Sequence, residues 1–268
     1  MKHNQVLEKL AARHLVDSIE EDVARLVRGA MSPQQGASFD QATIALQVIP
    51  KLLLRWNCVL NADTDVVGPI YKHKTFVALA VLLHKYGLTD KNIIINSLTS
   101  IDELNNAVAM SDDFFRKTDQ IKSLIVSAPA PLKRCPSVRE SLTFHRAGDV
   151  VAIQVDKQFY AAYVHEILNF HESPLIELYD VVFAHRPTLA EVQGKRAKGR
   201  YYNDESERIE KYSVAGMRNV PDLAKQVHLI GSGVNEKPST NHLQKPVGLY
   251  CVSDLFALLT SIPTMFRQ

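Results

Sequence analysis

The side chains best suited to metal ligation or nucleophilic attack are ten histidines and three cysteines, and their spacing decides little in favour of chemistry. A helical zinc site places two histidines one turn apart with a glutamate beside the first, and no His-Glu-x-x-His run occurs. His165-Glu166 and His171-Glu172 are sequence neighbours. Consecutive strand residues point to opposite faces, so a pair lying in a strand is not expected to share a ligand. Gly231-Ser232-Gly233 has neither the Gly-x-Ser-x-Gly elbow nor the lysine of a phosphate loop, so Ser232 reads as part of a turn. Cys58, Cys135 and Cys251 lie far apart and fit no zinc spacing. So sparse a set suggests a reducing compartment, with a single disulfide left open. The expectation is no catalytic, cofactor-binding or metal-binding residue. An enzyme remains open only through histidines that converge in three dimensions.

One charged segment stands apart. Lys195, Arg196, Lys198 and Arg200, spaced by Gly194 and Gly199, form a basic loop able to meet phosphate or an acidic protein. Asp204, Glu205, Glu207 and Glu210 follow at once and largely cancel it, which favours a solvated loop. The net charge of +2 over 268 residues supplies no large pull on nucleic acid. A composition of 46% hydrophobic and 22% charged residues is that of a folded soluble chain. The start lacks the apolar core of a signal peptide, and no run approaches the roughly 20 apolar residues of a spanning helix. The expectation is a cytoplasmic protein.

The elements that must position these residues change character midway. Val6, Leu10, Leu15, Ile19, Val23 and Leu26 have helical spacing and predict one amphipathic helix over 6–27, closed by Gly29 and Ser32-Pro33. Asp40 caps a second helix toward Leu60, which Pro50 should kink or divide. A third spans 72–86 with Gly87 as its stop. Ser100 and Glu103 have capping-box spacing and predict another start, and Ser111 or Asp112 opens a last helix reaching Ser127. Trp56, His73 and His84 read as core or interface residues, because no catalytic partner accompanies them. Three prolines within 127–136 make a stiff connector, after which Ser137 and Glu140 could cap one turn.

Strand-like runs then cover 150–155, 159–168 and 175–183, with a polar break at 156–158 and a loop at 169–174. Shorter candidates are 227–230 and 247–252, and Ser253 or Asp254 caps a helix through Leu259, before Pro263. The predicted fold is α+β, with a helical bundle over 1–128 and a β-rich domain over 137–268. The latter is expected as an antiparallel SH3-like or small-barrel domain with a terminal helix.

The run Gly148-Asp149-Val150-Val151-Ala152-Ile153, the aromatic second strand with Phe159, Tyr160 and Tyr163, and Pro174-Leu175-Ile176-Glu177-Leu178-Tyr179-Asp180 carry a family likeness. Over about residues 145–185 they resemble immunity proteins of bacterial polymorphic-toxin and contact-dependent growth inhibition systems. Val151 stands where an aromatic is usual, and the helical half is additional to the simple family members. The resemblance implies a non-enzymatic cytoplasmic protein that binds a cognate toxin domain, often a nuclease, and blocks its active site or substrate entry. On that reading Glu166, Glu172, Glu177 and Asp180 are the acidic candidates, and Tyr160, Tyr163 and Phe170 the aromatic anchors. For the tyrosines a core role is the favoured alternative. Glu177, flanked by apolar residues, is either at an edge or turned inward, where it must be paired. The competing functions are an enzyme, hydrolytic or nucleic-acid-modifying, with a site between the domains, and a nucleic-acid module using residues 195–200.

Overall fold

The computed structural model describes residues 1–32, 40–138 and 142–267. The proposed contributions of Pro33 and Glu140 lie outside them. The chain forms two compact units, Met1–Leu53 with Val59–Arg139, and Leu54–Cys58 with Glu140–Gln268.

The helices before the connector are α1 (His3–Lys9), α2 (Arg13–Met31), α3 (Gln41–Leu60), α4 (Pro69–Lys85), α5 (Lys91–Asn106), α6 (Asp112–Arg116) and α7 (Thr118–Val126). The single helix expected over 6–27 is broken, because Ala11 takes a left-handed φ of 47° between α1 and α2. The five-residue step from Leu10 to Leu15 marks the break, since at 3.6 residues per turn it rotates the apolar face by about 140°. Gly29 lies inside α2. Asp40 caps α3 through the Thr43 N–H at 3.0 Å. Pro50 sits within α3 without dividing it, and the carbonyl it deprives belongs to exposed Leu46, where water can serve. By length and composition α3 alone among the described helices could span a membrane. Its Ile44, Val48, Leu52, Trp56 and Val59 are buried here.

α4 buries an unbroken run from Val77 to His84 and packs against α1, α2, α5 and α7. A helix apolar all round belongs in the middle of a bundle. Gly87 ends it with φ +75°, and Leu88 N–H closes onto the Leu83 carbonyl at 2.8 Å. Asp90, not Ser100, starts the next helix by accepting from Ile93 N–H at 2.9 Å. Ser100 lies buried within α5 and meets His73 Nδ1 at 3.1 Å, which gives His73 a structural partner. Ser111 caps α6, and Lys117 separates it from α7 where one helix was expected.

In the second unit β1 (Val150–Val155), β2 (Gln158–Leu168), β3 (Ser173–Phe183), β6 (Tyr212–Ala215), β7 (Val227–Gly231) and β8 (Cys251–Asp254) form one sheet in the order β7-β1-β2-β3-β6-β8. β4 (Arg200–Tyr201) pairs with β5 (Glu207–Arg208), and α8 (Leu189–Val192) and α9 (Leu255–Met265) complete the unit. The sheet is mostly antiparallel; β6 and β8 run parallel. β7 and β8 end the strand order, so the expected small barrel is an open sheet.

β1 is buried on both faces, as its continuous apolar run requires. One face packs Val151, Ile153, Ala162, Val164, Ile176 and Leu178 with Leu255, Leu258, Leu259 and Ile262 of α9. Burying each leucine or isoleucine contributes about 1.5–3 kcal/mol. The other face gathers Val150, Ala161, Tyr163, Tyr179 and Val192. Asp254 caps α9 through Ala257 N–H at 2.7 Å, and the helix continues through Pro263 to Met265. Arg55 and Asp222 form a buried ion pair at 2.9 Å in this unit. Burial alone would raise the Asp222 carboxyl, but Arg55 and the backbone N–H groups of Val227 and Gln226 hold it below its ordinary value.

Candidate binding surface

The residues singled out from the sequence separate into buried and exposed groups. Tyr160 and Tyr163 are core residues on opposite faces of the sheet, so neither is an exposed anchor. Their hydroxyls are used internally, Tyr160 on Gln158 Oε1 at 2.8 Å and Tyr163 on the Val234 carbonyl at 2.9 Å. Glu177 is 1% exposed and cannot belong to an accessible acidic patch. It takes the inward alternative, accepting from His165 Nε2 at 2.9 Å. Asp180 is held by Arg196 at 2.7 Å and lies 3.7 Å from Lys198. Lys198 is itself buried and reaches Glu207 at 3.2 Å. Two members of the basic loop are thus neutralised internally, which weakens its reading as a nucleic-acid patch.

Phe170, Glu166 and Glu172 remain near the surface, with Phe170 and Glu172 on the β2–β3 connection and Glu166 four residues before Phe170 on β2. The loop 169–172 joins the pair Leu168–Ser173, with Glu172 N–H donating to the Leu168 carbonyl at 3.1 Å. Asn169, Phe170 and His171 all adopt left-handed backbone, with φ of 52°, 54° and 70°. Such geometry is expensive for side chains other than glycine, about 1–2 kcal/mol per residue and least for asparagine. A neighbouring segment props it, since Thr143 N–H donates to the His171 carbonyl at 2.7 Å. The result holds Phe170 97% exposed at the tip. Leu142, Asn169, Phe170 and Glu172 border an open hollow there, and Leu142 and Phe144 are also exposed. Glu166 is exposed on the last part of β2. The sequence signalled these residues singly; the consecutive left-handed backbone carried no glycine to announce it.

Two polar clusters could suggest catalysis, and their geometry assigns each a structural part. Asp149 accepts from Ser232 Oγ at 2.7 Å and from Arg146 N–H at 2.8 Å. His145 Nδ1 lies 3.8 Å from the same carboxylate, and burial lowers the His145 pKa despite the opposing pull of Asp149. Here the acid stands between serine and histidine. A nucleophile needs the base beside it, so Ser232 is a strut and not an activated hydroxyl. Second, His165 and Glu177 pair beneath the sheet, with Tyr163 packed edge-on against His165. Burial, then Tyr163, Glu236 and Glu177, raise the Tyr179 phenol and keep it protonated. Among the described residues no three His, Cys, Asp or Glu side chains gather as metal ligands, and the three cysteines are free.

Comparison of the chain with protein-family models, curated proteins and solved structures found no match.

Proposed function

We propose that the second unit is an immunity-type binding module that neutralises a cognate bacterial toxin domain in the cytoplasm, through the β2–β3 hairpin end. The observation that carries this reading is Phe170, held almost fully exposed on three consecutive left-handed residues. Backbone strain of this kind persists where the surroundings over-determine it, and it concentrates at binding and switch sites. An exposed aromatic side chain on a rigid loop is suited to filling a partner's pocket at low entropic cost. Glu172 beside Phe170 and exposed Glu166 further back on β2 add acidic charge to this end, which suits the basic cleft of a nuclease. The likeness over 145–185 covers this hairpin. On this reading the β1–β2–β3 meander is the SH3-like part of the module, and the protein acts by occlusion and not by catalysis.

The test is co-purification of the full chain with the product of the neighbouring gene, together with protection of cells expressing that product. Stable complex formation and protection are expected, and Phe170→Ser should abolish both while the fold is kept. Absence of binding and protection by the unaltered chain would sink the proposal.

A further inference from the structure

A different edge of the second unit carries its own display. Gln244 bridges Arg208 in parallel, and Cys251 pairs in parallel with Tyr212. Between these two anchor points one side spends three residues, 209–211, and the other six, 245–250. The excess must bulge outward, and all six of those residues are exposed. They present Val247, Tyr250 and Leu249, the last 89% exposed, and Val252 follows on β8 at 82%. Apolar residues so concentrated on one short segment mark an interaction surface.

The backbone beside them is also free to pair. Among the described residues β8 is the last strand of the sheet and is bonded to β6 alone. Cys251 N–H donates inward to the Lys211 carbonyl at 2.8 Å. Strand alternation then turns the N–H and carbonyl of Val252 toward the open edge. Such an edge is a template for an added strand.

Charge identifies the occupant. Arg200 lies on this side, its Nη1 3.5 Å from Cys251 Sγ and its guanidinium 5.6 Å from the Tyr202 ring centroid. Among the described residues no carboxylate pairs with it, whereas Arg208 is paired with Asp204. Arg200, Tyr201, Tyr202, Arg208 and Val247 border one open hollow together with Asn203 and Asp204, the latter engaged by Arg208. Lys245 is exposed on the bulged segment. Glu210 is buried, accepts from the Tyr202 hydroxyl at 2.8 Å and acts with Arg200 on the same Cys251 and Tyr202 groups, so it offsets part of this charge, while exposed Lys245 adds to it.

We propose that residues 245–252 with Arg200 dock an extended segment of a partner protein in which acidic and apolar residues alternate. The segment adds a strand to β8, its apolar side chains cover Leu249 and Val252, and a carboxylate pairs with Arg200. This site is separate from the Phe170 tip and does not depend on toxin binding.

The test is selection of a displayed library of random dodecapeptides on the full chain, followed by titration of a labelled winner. Alternating acidic–apolar sequences should be enriched. Arg200→Glu and Leu249→Ser should each weaken the winner at least about tenfold, and Val252→Pro, which removes the outward N–H, should do the same. Phe170→Ser should leave its binding unchanged. Circular dichroism and thermal melts establish that each variant is folded. The proposal is overturned if selection yields no acidic sequences, or if the winner binds Arg200→Glu as well as the unaltered chain. It is equally overturned if sedimentation shows the chain pairing with itself through this edge, with Leu249→Ser dissociating it.

Discussion

His165 Nε2 and Glu177 Oε2 lie 2.9 Å apart across the β2–β3 pair, beside a β-bulge. Val164 pairs with Ile176 and Glu166 with Leu175, so His165 is the extra residue on β2. Glu177 Oε1 has no hydrogen-bond partner among the described residues, which leaves His165 as the principal compensation for a buried carboxylate. His165→Ala should therefore destabilise the second unit by about 3–5 kcal/mol. Replacing both residues with apolar ones of similar volume should recover most of that loss. Urea denaturation of the single and double variants measures this, and a single-variant loss under about 1 kcal/mol would contradict a desolvated pair.

That pair also shows what a sequence conceals. The strands 150–155 and 159–168 are legible because β-branched and aromatic runs are separated by polar breaks, and Asp156 accommodates the turn with φ 54°. That His165 would face Glu177 depends on cross-strand register, with Tyr163 opposite Glu177, which alternation within one strand does not reveal. The inward alternative for Glu177 required a partner without naming it. Ser100 and Glu103 match a capping box inside α5, because such a motif counts residue types while Asp90 supplies the actual cap. Leu249 and Tyr250 read as strand from propensity but lie in a bulged loop, since pairing resumes only at Cys251.

Acid should weaken the first unit before it affects carboxylates. His3 Nε2 meets His84 Nδ1 at 2.8 Å, and His84 Nε2 meets Ser127 Oγ at 3.0 Å. Ser127 donates its own hydroxyl hydrogen to the Leu124 carbonyl, so His84 must donate through Nε2 and accept at Nδ1. Burial, then His84 and Lys85, lower the His3 pKa below 6.5, and burial lowers that of His73. A proton therefore binds the unfolded chain more readily than the folded one. The stabilisation is complete above 6.5 and lost as pH falls through the depressed folded values. Thermal melts should fall between pH 7.5 and pH 5, and His3→Gln should flatten part of that slope. Equal melting temperatures at both pH values would contradict this.

Exposure separates binding from stability on the two sides of one hairpin. Phe170→Ser should leave the melting temperature unchanged, because the ring is 97% exposed, while weakening a toxin complex at least about tenfold. Tyr163→Phe should do the opposite. It removes the hydrogen bond to the Val234 carbonyl and should cost about 0.5–1.5 kcal/mol of stability without altering affinity. Melting curves and binding isotherms on the same two variants check the division. A Phe170→Ser chain that unfolds earlier would show the tip to be structural.

Gly148 and Asp149 are expected to act as one structural joint. Gly148 has φ +84°, and a β-carbon there would lie 3.3 Å from Gly233 Cα and from the Val234 backbone. Its amide donates to the Val164 carbonyl at 2.9 Å, and its carbonyl accepts from Val234 N–H at 2.8 Å. Gly148→Ala should thus cost about 1–2 kcal/mol from handedness alone, with crowding against the Gly233–Val234 backbone added to it. Asp149→Ala should also be strongly destabilising, since Arg146 N–H and Ser232 Oγ both lose their acceptor. Ser232→Ala removes only one hydrogen bond, from the exposed side, and should be the mildest of the three. Chemical denaturation that ranks Ser232→Ala as the most damaging would return Ser232 to consideration as more than a strut.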